Sequence, residues 1–108
     1  MQNLLKVSEN TQLSWRNLSI QNRISFLPQL AQLLLENKEE YATCITTEMH
    51  KPISQAIAEV EKCALLCNYY YENAETFLAT KNIKTEASES FVTYESLGVI
   101  LGVMPWNF

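Results

Sequence analysis

The residues best suited to covalent or metal chemistry are sparse in this chain: Cys44, Cys63, Cys67 and a single histidine, His50. A metal site wants four ligands, or three and an open position, at recognised spacing. Here His50 stands before a Lys-Pro turn, and Cys44 belongs to a different helical segment from Cys63 and Cys67. The latter pair, four apart, share one helix face, and packing as small hydrophobes accounts for them better. A nucleophilic thiol needs a base and an electropositive setting, and the spacing supplies neither. Glu59, Glu61, Glu72 and Glu75 could pair for acid–base work, but their positions describe a solvated helix face. Tyr69, Tyr70, Tyr71 and Phe77 could stack on bases. No basic cluster surrounds them, so core and interface packing is the better account.

The remaining candidate closes the chain. GVILGVMPWNF, residues 98–108, is a near-continuous apolar run leading into Pro105, Trp106, Asn107 and Phe108. Open α/β sheets bind ligands at the carboxyl ends of their strands. An asparagine there can donate an N–H to a developing oxyanion without changing its own charge. It can equally cap the strand, and on the residues alone both readings stand.

The totals bound what can position these groups. At 108 residues the chain amounts to one small domain. It is 47% hydrophobic and 19% charged with a formal charge of −4, which excludes a disordered class and leaves no Lys/Arg stripe for nucleic acid. The N-terminus lacks the basic and apolar regions of a signal peptide, and no window approaches the roughly 20 apolar residues of a membrane span. An odd count of three cysteines without a secreted-scaffold pattern makes a reducing cytoplasm the expected compartment. Only two glycines occur, Gly98 and Gly102, so the first ninety or so residues are expected to be helices joined by short links.

Four helical periods follow one another. Leu4, Val7, Thr11, Trp15 and Leu18 form the first stripe. Ile20, Ile24, Leu27, Leu30, Ala31 and Leu34 form the second, with Ser19 as its cap and a kink expected at Pro28. The third opens at Asn37, with Glu40 placed for a capping box, and runs through Tyr41, Ile45 and Met49. The fourth is the clearest: Ile53, Ile57, Val60, Ala64, Cys67, Tyr71, Ala74 and Leu78, with Pro52 in its first turn. Leu65, Leu66 and Tyr69 fall outside this stripe, so the helix is expected to meet partners on more than one side. A coiled coil is the weaker reading, because the stripe mixes Ala, Cys and Tyr. After Leu78 a polar loop contains a short strand near Asn82–Thr85. SFVTYE then alternates as a half-buried strand, and VILGVM reads as one covered on both faces. Such a strand needs neighbours that these residues do not supply.

Taken together, these segments resemble the aldehyde dehydrogenase superfamily. LGVILGVMPWNF is similar to that family's strand and Pro-Trp-Asn-Phe signature. TEMHKPISQAIAEVEKCALLCNYYYENAETFL resembles its Glu-x-Gly-Lys-Pro segment and long helix, and Arg23 in WRNLSIQNRISFLPQLAQLLLEN stands where its early helices carry an arginine. AEVEKCA with YYYENAE most resembles bacterial succinate-semialdehyde dehydrogenases. The resemblance implies an α/β fold, of which residues 1–108 are the incomplete N-terminal part of the cofactor-binding domain: about four helices, then two or three strands.

By that resemblance Asn107 is the amide that stabilises a thiohemiacetal oxyanion. Met104, Pro105, Trp106 and Asn107 contact an NAD or NADP cofactor, Phe108 packs beside the substrate passage, and no metal is involved. The nucleophilic cysteine, the catalytic glutamate and the cofactor-binding lysine are expected after Phe108, so the isolated chain is expected to be inactive and to bind no cofactor. His50 departs from the family's usual glycine before Lys-Pro. The implied partners are a small aldehyde and further copies in a homo-oligomer, with no nucleic acid or membrane. The rival is a non-catalytic helical protein that self-associates, motivated by apolar surfaces the chain cannot cover itself.

Overall fold

A computed structural model of the chain describes residues 2–104. Five helices occupy most of it: α1 (Gln2–Trp15), α2 (Ile20–Ile24), α3 (Phe26–Glu36), α4 (Lys38–Met49) and α5 (Ile53–Leu78). Two short strands follow, β1 (Lys81–Asn82) and β2 (Phe91–Val92), so the mostly helical order expected from the sequence holds.

Local chemistry explains the boundaries. α1 closes at Trp15 rather than Leu18, where the Asn17 side chain donates to the Leu13 carbonyl at 2.9 Å. Ser19 caps α2 as expected, its Oγ accepting the Asn22 N–H at 3.2 Å. The second helical period is split in two at Ser25, three residues before Pro28. Pro28 has no N–H to give the carbonyl of Ile24, and its ring would crowd that carbonyl, so α2 stops at Ile24. In α3 the proline then falls in the first turn, where no intrahelical donor is required.

Asn37 alone separates α3 from α4, and its role differs from the expected capping box. Its side chain donates backward to the Leu33 carbonyl at 2.9 Å and makes no cap bond to α4. The amide thus serves the end of the preceding helix, while Glu39 and Glu40 face the positive end of α4. α4 ends on His50, whose φ of 56° and ψ of 25° are left-handed and whose N–H donates to Thr46 at 2.9 Å. The side chain changes at this glycine position, but the backbone keeps the conformation a glycine would take. Pro52 lies one residue ahead of α5, and its carbonyl accepts from Gln55 and Ala56 at 2.9 and 3.0 Å.

α5 has 26 residues, about 39 Å at the usual rise, and both α3 and α4 lean on it. The buried residues are small: Ala31 of α3, Ala42 of α4, and Ala56, Val60 and Ala64 of α5. Small side chains let helix backbones approach closely, and the seam is built on that. Two ion pairs add to it, Lys38–Glu61 at 2.6 Å and Lys51–Glu59. The shape is extended, with a radius of gyration of 18.7 Å against about 13 Å for a compact chain of this length.

The strands pair antiparallel, Lys81 opposite Val92 and Asn82 opposite Phe91. The Ile83 N–H donates to Ser90 at 2.7 Å, and the Thr85 and Ser90 hydroxyls meet at 2.7 Å. Residues 99–104, expected to form a strand covered on both faces, belong to no sheet among the described residues. Ile100, Leu101 and Val103 stand exposed. A strand is hydrogen-bonded only through its neighbours, and β1 and β2 use their short edges on each other.

Candidate functional site

The segment leading to the candidate amide is held at its near end by α1. The Nε2 of Gln12 donates to the Ser96 hydroxyl at 3.1 Å, joining residues from opposite ends of the chain. Nearby, the Thr80 and Thr93 hydroxyls meet at 3.3 Å beyond the two-stranded ribbon. Further on, Gly98 has a φ of +98°, a value that strains any L side chain. The chain then continues without regular secondary structure to Met104, which is 84% exposed. Pro105, Trp106, Asn107 and Phe108, the remaining candidate site residues, lie outside the described residues.

The main-chain groups of residues 98–104 have no backbone partners among the described residues. Free N–H and C=O groups are what a ribose or phosphate would need for main-chain contacts at Met104. They would equally receive a neighbouring strand. At Met104 the main chain is thus open to either a cofactor or a strand.

Beside Ser96 lies an open cavity of about 700 Å³, walled in part by Arg16, Arg23, Glu75, Tyr94 and Glu95. Its charges balance, two guanidinium groups against two carboxylates. Glu75 accepts from the Gln21 side chain at 2.5 Å. The Nε of Arg23 is buried without an acceptor among the described residues, a costly state for a charged donor. Arg23 was legible as a family arginine. That Arg16 and Glu95 would line one cavity was not, because nothing in their distant positions signals it.

The other candidates are scattered. Cys44 and Cys63 are exposed and Cys67 is half-buried. The core placement expected for Cys63 is therefore corrected: it falls just outside the seam that Val60 and Ala64 occupy. No cysteine sulfur has a hydrogen-bonding base beside it, and no cluster of metal-ligating residues occurs among the described residues. Glu59 and Glu61 are held in ion pairs, as a solvated face allows. The Glu61 carboxylate, hydrogen-bonded to Lys38, raises that lysine above its ordinary pKa of 10.5. Tyr69 meets Tyr70 edge-on at 5.6 Å and Phe77 at 5.9 Å, all three partly exposed.

Comparison with known proteins places this arrangement. A Synechocystis protein named probable succinate-semialdehyde dehydrogenase [NADP(+)] is 47% identical over 104 residues, which is 96% of this chain and 23% of that protein. An Escherichia coli succinate semialdehyde dehydrogenase [NAD(P)+] is 38% identical over all 108 residues, again 23% of its length. The chain thus spans less than a quarter of the length of these curated relatives. Among solved structures, succinic semialdehyde dehydrogenase from Streptococcus pyogenes, in complex with NADP+, superposes with a TM-score of 0.79 at 26% identity. That match covers 84% of this chain and 20% of the streptococcal one. No helix among the described residues is long and apolar enough to cross a membrane. The aldehyde dehydrogenase family model matches residues 1–108 from end to end, and the chain belongs to that family.

Proposed function

We propose that this chain supplies the N-terminal part of the cofactor-binding domain of a cytoplasmic, NAD(P)-dependent aldehyde dehydrogenase, with succinate semialdehyde as the substrate. The observation that carries the reading is identity of 47% and 38% to two succinate-semialdehyde dehydrogenases over nearly the whole chain. The net reaction takes aldehyde, water and NAD(P)+ to carboxylic acid, NAD(P)H and a proton. The nicotinamide supplies the hydride acceptor. Asn107 donates its side-chain N–H to the oxyanion formed when a thiolate adds to the aldehyde carbonyl, acting as a fixed dipole where charge develops. Met104, Pro105, Trp106 and Asn107 hold the cofactor, and Phe108 borders the substrate passage.

Asn107 stabilises an adduct it does not itself form, and none of Cys44, Cys63 and Cys67 has a base beside it. The isolated chain is therefore proposed to be inactive and to bind no cofactor. A chimera tests the reading: these 108 residues replace the matching part of the Synechocystis relative. It is expected to reduce NADP+ with succinate semialdehyde, and Asn107→Ala in it should lower kcat by about 10²–10³-fold. An Asn107→Ala chimera as fast as its parent sinks the assigned role. Nicotinamide reduction by the 108-residue chain alone sinks the proposed inactivity.

We also propose that the chain self-associates. Its support is the amount of large apolar side chain left in water, including Leu65, Leu66 and Ile100.

A further inference from the structure

We draw no further inference here: the strongest candidate, the open cavity walled by Arg16, Arg23, Glu75 and Glu95, carries nothing, since nothing in the structure shows what covers it in a chain that spans less than a quarter of its relatives' length.

Discussion

The helices from α2 to α5 and the segment after β2 are comparably apolar, yet one is packed and the other is not. α3, α4 and α5 bury Ala31, Ala42, Ala56, Val60 and Ala64 in a shared seam. Residues 97–104 hold Leu97, Ile100, Leu101 and Val103 in water, each more than 70% exposed. The difference lies in where the hydrogen bonds come from. A helix satisfies its backbone from within and needs only an apolar stripe to dock. A strand has no structure until another strand lies beside it. Apolar content alone therefore does not separate a packed segment from an unpacked one.

The strongest way to break this contrast is to substitute one residue on each side of it. Ala56→Leu forces extra volume into a fully buried position facing α3 and α4, and should lower stability by about 1–3 kcal/mol. Leu101→Ser, at an 88% exposed position, should change it by less than about 0.5 kcal/mol. Urea unfolding followed by circular dichroism measures both, and equal effects would dissolve the distinction.

A smaller effect of opposite sign is expected at the α4–α5 turn. His50 holds a left-handed backbone that costs a non-glycine residue about 1–2 kcal/mol. His50→Gly removes that strain but adds freedom to the unfolded chain. A net gain of about 0.5–1 kcal/mol is expected, read from the urea midpoint. A loss would mean the imidazole makes a compensating contact.

The smallest effect is electrostatic and confined to alkaline solution. Lys38 is raised above 10.5 by its hydrogen bond and ion pair with Glu61. The folded state therefore holds this proton more tightly than the unfolded chain does. The stabilisation is full below the ordinary lysine pKa and is lost as pH rises through the higher folded value. Both partners are substantially solvated, so the slope is slight. Lys38→Met should remove it from a plot of urea midpoint against pH, and an unchanged slope in the variant would assign the loss to other groups.

What the sequence disclosed follows the same division. The helical periods, the Ser19 cap and the break near Pro28 depend on neighbours three or four residues away, and they were readable. Asn37 was readable as a helix boundary but not in its direction, because one amide can serve the carbonyl behind it or the N–H ahead of it. Cys63 sits one residue off the buried stripe, too fine a margin for periodicity to resolve. VILGVM announced that it wants covering on both sides without saying by what. The Gln12–Ser96 contact and the shared cavity of Arg16 and Glu95 left no local trace, since each is a product of the finished path. Of the candidate site, Asn107 was legible by chemistry and Met104, Pro105, Trp106 and Phe108 only by resemblance.

The alanine seam carries a last consequence. Interior positions filled by leucine or phenylalanine can be exchanged for side chains of similar volume, with neighbours repacking around them. Where the buried residues between helices are alanines, there is little to trim and little room to add. Ala31, Ala42, Ala56 and Ala64 thus impose a one-sided constraint. Shrinkage to glycine costs only about 1 kcal/mol of helix propensity each, while growth pries the helices apart. Variation among working versions of this seam should be skewed toward small residues, with the helix spacing acting as a gauge that rejects anything larger.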